Sequence, residues 1–457
     1  MEWRRRCDIG PAGDSESLAK AKRVVRTDDG RDRAGRPPDP RGYSRSVAVT
    51  PVSKLDVPKI RADFPIFEQT FHGRPLAFLD SAASSQKPRQ VLDAMVHFYE
   101  TSYANVHRGV YELAERATAA LEEARTKACH FVNAPSSREI VFVRNATEAL
   151  NLVAYAWGMN NLGPGDTVLV TELEHHSNYV PWQYVAGRTG AHFRMVPLDD
   201  AGELRLESLD EYENVKVVAT GLVSNSLGTV NDAARIAAWA HEHGAIYVCD
   251  AAQAAPHKRI DVQAIGCDFL AVSGHKMCGP SGIGFLWGRA ELLQAMEPFL
   301  LGGHMIRKVG RDETTWGELP HKFEAGTAPM AEAVGLGAAI DYLEEVGLEA
   351  IFAHEQELAA YAIEKLSEIP GVTLYGPPPE RRAGIVSFNL EGVHPHDVAQ
   401  ILDLDAVAIR AGHHCCQPLM SKLGVAATNR ASFYLYTLPE EIDRLAAGVL
   451  RAKETFA

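Results

Sequence analysis

The sequence predicts an α/β protein: a large parallel sheet covered by helices, followed by a smaller α+β unit. Two observations lead to that expectation. Short apolar runs ("EIVFV", "DTVLVTEL", "VKVVATGLV", "AIYVCDAA", "FLAVSG") alternate with helical stretches such as "ATEALNLVAYAW" and "AARIAAWAHEHG". Strands that are apolar on both sides belong in a sheet buried on both faces. The rhythm then changes. A long helical stretch from about 330 to 367 precedes three further strand-like runs, "GIVSFNL", "AVAIRAG" and "ASFYLY", with helices between them.

The elements follow in order. "LAFLDSAA" reads as a short strand entering a turn, and "ATAALEEARTKACHFV" has the spacing of an amphipathic helix. The strand–helix alternation then runs to about residue 273, and a Gly-rich segment occupies 300–327. The first fifty residues differ. They hold 12 Lys/Arg and 8 Asp/Glu, a net of +4 in a chain whose formal charge is −13. Poor in large apolar residues, they do not offset their ordering entropy and are expected to be a disordered basic tail. An over-extended start of the coding sequence explains them more simply than a nucleic-acid arm.

Composition bounds the function. With 46% hydrophobic and 23% charged residues the chain is of the ordinary globular kind. Its acidic balance argues against gripping nucleic acid or anionic lipid. No apolar run reaches the roughly 18 residues of a membrane helix. The seven cysteines form no spaced disulfide framework, so a reducing cytoplasm is the expected compartment.

Four polar constellations fall where a parallel sheet collects ligands, at the carboxyl ends of its strands. In "VCDAAQAAP", Asp250 ends an apolar strand and Gln253 stands three residues on; a carboxylate there is either a helix cap or the partner of a cation. In "VRNATEALN", Asn145 can cap a helix with Glu148 completing a capping box, and such a start suits a phosphate. In "SGHK", Ser273 and His275 can donate to a phosphate while Lys276 either holds a loop or offers an amine for a Schiff base. In "RAGHHCCQP", adjacent side chains point apart, which argues against zinc and for a reactive thiolate on a loop; no metal is expected. A phosphate-binding helix start, an acid for a pyridinium nitrogen and an imine-forming lysine together are the parts needed to bind pyridoxal phosphate. His175 in "EHHSN" can stack on its ring.

These residues sit in a longer series: "LDSAASSQKP", "NVHRGVYELAERAT", "ATEALNLVA", "EHHSNYVPWQ", "SNSLGTV", "DAAQAAPH", "SGHKMCGPSGIG", "FEAGTAP", "RAGHHC" and "TNRASFYLY". From about residue 55 to the C-terminus the chain resembles the SufS-type (group II) cysteine desulfurases of the class V aminotransferase family, fold-type I pyridoxal phosphate enzymes. The resemblance implies a large parallel or mixed-sheet domain and a smaller α+β domain. The expected divisions are a tail at 1–50, a segment at 51–75 packing on the small domain, a cofactor domain at 76–325 and a small domain at 326–457 carrying the cysteine loop.

It also implies roles. Lys276 corresponds to the lysine bound covalently to the cofactor, Asp250 to the pyridinium partner, Gln253 to the group on the ring's phenolic oxygen and His175 to the histidine over the ring. Thr147, Ser273 and His275 fall at phosphate positions, and Thr327 resembles a threonine lent by the other subunit of a homodimer. Asn225 and Arg430 match the holders of the substrate carboxylate, Arg410 opens the mobile loop, and Cys415 is in register with the nucleophile. The implied reaction turns L-cysteine into L-alanine and leaves a persulfide on Cys415. A sulfur acceptor of SufU or SufE type then takes the sulfur for iron–sulfur assembly, with His396 in "HPHDVAQIL" contributing to the exchange. A selenocysteine lyase, another class V aminotransferase or epimerase, and a non-catalytic regulator are the alternatives. The chain departs from many relatives at Leu301 and His304 ("FLLGGHM"), at Ala146 and at Cys416, which is expected to be a bystander.

Overall fold

In the computed structural model, residues 55–107 and 109–456 are described, and the expectation for the first fifty residues lies outside them. The centre is a seven-stranded sheet. Its strands are β1 (Ile140–Val143), β2 (Thr167–Thr171), β3 (His192–Val196), β4 (Val215–Gly221), β5 (Ile246–Asp250), β6 (Phe269–Ser273) and β7 (Gly284–Gly288), in the order β1-β7-β6-β5-β4-β2-β3. Strands β2 to β6 pair in parallel, whereas β7 runs antiparallel to both β6 and β1. The sheet is therefore mixed rather than wholly parallel. The strand at 284–288 hides in "GIGFLWG", where flanking glycines make a buried strand read as part of a loop.

Alternation along each strand sorts the core into two layers. Ile140, Phe142, Leu270, Val272 and Phe285 pack on one face, with Leu121 of α1 (Glu112–Phe131) and with Leu336 and Ile340. Val141, Val143, Val248, Ala271 and Leu286 pack on the other, with Leu150 of α2 (Ala146–Val153) and with Trp182 and Val185 of α3 (His176–Thr189). Each such buried side chain stabilises the fold by about 1.5–3 kcal/mol. Continuous apolar strands are thus explained by two covered faces.

The helical stretch at 330–367 is two helices, α4 (Met330–Val346) and α5 (Leu348–Ser367), broken at Gly347. Beyond it lies a second, antiparallel sheet: β8 (Val372–Tyr375), β9 (Ile385–Leu390), β10 (Arg410–Gly412) and β11 (Thr428–Ser432), ordered β8-β9-β11-β10. The last strand covers "TNRAS" rather than "ASFYLY", so Arg430 is a strand residue. Near this sheet the chain from 77 to 80 returns: Ala77–Phe78 pairs with Val407–Ala408 and Asp80 bridges to Ser432. Among the described residues no helix is long and apolar enough to cross a membrane.

Candidate active site

A crevice of about 270 Å³ opens at the carboxyl ends of β5 and β6 and is lined by Lys276, Asp250, Gln253, His175, Asn225, Arg430, Arg410 and Cys415, among others. Its floor comes from strand ends. Ser273 is the last residue of β6, and a turn carries His275 and Lys276 directly after it. Close packing makes this turn possible. A Cβ on Gly284 would stand 2.3 Å from the Val272 carbonyl, and one on Gly274 would stand 2.8 Å from that of Ile283. The glycines around Lys276 therefore serve backbone contact between β6 and β7.

The turn is also tied from outside. The His275 carbonyl accepts from Ser84 Oγ at 3.1 Å, Ser85 N–H at 3.1 Å, Ser85 Oγ at 3.2 Å and Lys87 Nζ at 3.0 Å. Ser85 Oγ in turn accepts from the Cys278 N–H at 2.8 Å. The segment "SAASSQK" thus holds the residue preceding Lys276 by several bonds at once. Sequence reading gave this segment no such role, because its partner lies about 190 positions away.

Electrostatics at the floor disfavour positive charge on its amine and imidazoles. Burial draws the Lys276 ammonium down to about 8, with Arg430 adding to the fall and Asp250 opposing it. Burial pushes the Asp250 carboxyl up, against the Ala252 N–H bond at 2.9 Å and the charge of Lys276. Burial and the nearby Lys276 hold His175 near 3 and His275 near 4, so both rings are neutral at ordinary pH. Behind them lies Glu174, which sequence reading did not single out. It accepts from Thr171 Oγ1 and from Asn178 Nδ2, each at 2.6 Å, and burial raises it to about 7.

The helix start is built as expected in part. Asn145 caps α2 by accepting from the Glu148 N–H at 3.0 Å. Glu148 reaches back one residue further than a capping box requires, to the Arg144 N–H. Ser273 Oγ accepts from the Ala146 N–H at 2.8 Å, and the hydroxyls of Thr147 and Ser177 lie 2.6 Å apart.

The rim comes from the second sheet. Arg430 on β11 and Arg410 on β10 are paired strand neighbours, and both hold Asp80: Arg430 Nη2 at 3.0 Å, Arg410 Nη2 at 2.9 Å. Arg430 Nη1 also donates to the Asn225 carbonyl at 2.8 Å. Asn225 Nδ2 donates to the His414 carbonyl at 2.8 Å. Asp80 is a second residue sequence reading missed; only the fold brings it between two arginines. After β10 the chain turns sharply, with His414 at φ +52° and Cys415 at φ +56°, a left-handed conformation non-glycine residues seldom adopt. The His176 N–H anchors this turn on the Cys415 carbonyl at 2.7 Å.

The two adjacent thiols face opposite ways. Cys415 is exposed at the crevice, while Cys416 is fully buried, donates to Asn225 Oδ1 at 3.1 Å and is pushed up to about 12 by burial. Thr327 alone among the expected site residues is elsewhere. It lines a separate cavity with Arg144, Glu148 and Leu300.

Relatives identify this arrangement. The model of the class-V aminotransferases matches residues 77–445. The chain belongs to that family. It is 52% identical over 404 residues to a probable cysteine desulfurase of Halalkalibacterium halodurans, covering 88% of this chain and 99% of that one. It is 49% identical over 418 residues to a cysteine desulfurase of Haloferax volcanii, covering 88% and 98%. Among solved structures, the apo cysteine desulfurase of Thermococcus onnurineus superposes with a TM-score of 0.84 at 39% identity, covering 88% of this chain and 99% of that one. A cysteine desulfurase of Escherichia coli gives 0.82 at 38%, covering 89% and 100%. Class-V aminotransferases of this kind carry pyridoxal phosphate, and the crevice fits it. Gln253 Oε1 is buried there without a partner, beside a carboxylate and a deprotonatable amine, and the floor opens on the capped start of α2.

Proposed function

We propose that this protein is a group II cysteine desulfurase, which converts L-cysteine to L-alanine and carries the sulfur away as a persulfide on Cys415. The observation that supports it most directly is one crevice lined at once by Lys276, Asp250 and an exposed Cys415. When bound, pyridoxal phosphate draws electron density from the bonds at the substrate's α-carbon.

The residues divide the work as follows. Lys276, whose pKa of about 8 leaves a usable neutral fraction, bonds the cofactor and afterwards moves protons at the substrate's carbons. Asp250 holds a proton on the ring nitrogen, Gln253 bonds the phenolic oxygen and the neutral His175 stands over the ring. Thr147, Ser273 and His275 bind the phosphate. Arg430 and Asn225 receive the substrate carboxylate, with Arg410 beside them, and a guanidinium fork suits that anion. Cys415 Sγ attacks the sulfur of the substrate: an S–S bond forms, the Cβ–S bond breaks, and Cβ keeps the electron pair and takes up a proton. The thiolate on a raised, strained turn is what plain transamination does not need.

Two further parts of the reading concern partners. A homodimer in which Thr327 reaches the other subunit's crevice is supported by the distance of Thr327 from its own, and by Tyr99, Tyr103, Val110 and Leu301, apolar yet exposed. An acceptor protein of SufU or SufE type, serving iron–sulfur assembly, would reach the exposed Cys415, with the exposed His396 at the start of the helix Pro395–Asp403 contributing to the exchange. The proposed division keeps the cofactor domain at 76–325 and the small domain at 326–457, with Leu336 and Ile340 of α4 packing back on the large sheet.

The test is anaerobic incubation with L-cysteine, quantifying alanine and mapping sulfur by mass spectrometry. Alanine with a +32 Da adduct (about one sulfur atom) on Cys415, absent in Cys415→Ser, is expected. Alanine released at an undiminished rate by Cys415→Ser would overturn the reading.

A further inference from the structure

Outside the crevice, three histidines converge from distant parts of the chain. His107 lies before α1, His304 in the Gly-rich segment and His321 in the turn His321–Phe323. Their rings meet tilted or edge to face, with centroids 4.9 Å apart for His107 and His304, 4.9 Å for His107 and His321, and 5.3 Å for His304 and His321. One ring nitrogen from each lies within 4.8 Å of the others.

Two independent facts make this more than a crowded corner. His107 Nε2 and His321 Nδ1 are both buried and bond to nothing. Leaving such an atom unsatisfied costs about 1–3 kcal/mol, so a pair of them calls for an explanation. A carboxylate also faces each of these two nitrogens from beyond hydrogen-bond reach: Glu122 Oε1 lies 3.8 Å from His107 Nε2 and Glu324 Oε2 lies 3.7 Å from His321 Nδ1. A negative charge on the same side as these nitrogens favours a bound cation.

We infer that His107, His304 and His321 form a binding site for a zinc-class divalent transition-metal ion, separate from the catalytic crevice. Three neutral imidazoles are a ligand set suited to zinc, with a fourth position left for water or a carboxylate. With the three nitrogens within 4.8 Å of one another, each pair needs to close by no more than about 1.5 Å to meet nitrogen–metal distances of about 2.0–2.1 Å. The segments carrying them are braced for that: Gly303 O accepts from the Gly326 N–H at 3.0 Å and Met305 O from the Gly317 N–H at 2.8 Å. Filled, the site would pin the loop before α1 to the Gly-rich segment, next to the exposed Val110 and Leu301. The departure His304 thereby acquires a use: it supplies the third nitrogen.

The test uses full-length holoenzyme, stripped with a chelator and titrated with Zn²⁺ against a competing chelating dye. One zinc per chain is expected, retained in Cys415→Ser, because the thiol is not a ligand. His304→Gln and His321→Gln should each weaken binding by more than about 100-fold, since even outer partners cost 10–100-fold. Unchanged cofactor absorbance and melting temperature without zinc show that both variants fold, and zinc should raise the melting temperature of the parent but of neither variant. No stoichiometric binding, binding lost in Cys415→Ser, or binding undiminished in both glutamine variants would overturn the inference.

Discussion

The floor of the crevice and its rim are built on opposite principles. The floor is an extension of the large sheet. Asp250 ends β5, Ser273 ends β6, and Lys276 follows on a turn whose preceding carbonyl is gripped by Ser84, Ser85 and Lys87. The rim hangs from the second sheet, where Arg410 and Arg430 share one carboxylate and the chain then enters two consecutive left-handed residues to present Cys415. The floor groups are held by the sheet itself, whereas Cys415 sits on a turn after a three-residue strand, tied there by bonds from the His176 N–H and Asn225 Nδ2. The difference suits a reaction with two demands: a cofactor that must not move and a sulfur that must leave.

The comparison breaks most sharply at Lys276. Lys276→Ala removes the amine that bonds the cofactor and moves protons, and alanine release should fall by at least about 10⁴-fold. The rim should be indifferent, so Cys415 in the variant should still react with a thiol-alkylating probe at the parent's rate. The amine also sets a pH dependence. Only its neutral form attacks a carbonyl, and that form gains as pH rises through about 8. Reconstitution of cofactor-free protein, followed by visible absorbance, should therefore accelerate from pH 6.5 through pH 8 and level only about one unit above that pKa. A flat profile, or activity in Lys276→Ala within tenfold of the parent, contradicts a working lysine.

The floor was legible in the sequence and the rim only partly so. Apolar runs that stop at Asp250 or Ser273 mark strand ends by themselves, because a buried strand announces its own limits. β7 escaped because its flanking glycines imitate a loop. β3 and β8 escaped because exposed edge residues interrupt their apolar pattern. Asp80 and Glu174 carry no local signal of their roles, and of the three histidines only His304 stands out, as a departure from relatives. Asp80 matters through Arg410 and Arg430, more than 300 positions away, and Glu174 through being buried behind its neighbours.

The seam between floor and rim should show a smaller effect. Asp80→Asn keeps the shape but gives up the charge that aligns Arg430 and Arg410. Exchanging charge-assisted bonds for neutral ones costs about 1.4 kcal/mol, or tenfold. KM for L-cysteine should rise by about tenfold while kcat stays within about threefold. A fall in KM would reverse the assignment, for it would mean that Asp80 competes with the substrate carboxylate instead of orienting its receptors.

The smallest effect separates two neighbours. Cys416 follows Cys415 directly, yet it is buried, bonded to Asn225 Oδ1 and held as a thiol by a pKa near 12. A thiol that does not ionise is no nucleophile. Cys416→Ala should leave turnover within about twofold of the parent, cost about 1 kcal/mol of stability for the lost packing, and leave all transferred sulfur on Cys415. The stability loss is read by denaturant unfolding and the sulfur by peptide mapping. Because Cys416 and Asn225 share a bond, the variant also asks whether the buried thiol steadies the turn that presents its neighbour. A KM shift without any kcat change would assign it that role, whereas persulfide found on Cys416 in the parent would erase the distinction between the two thiols altogether.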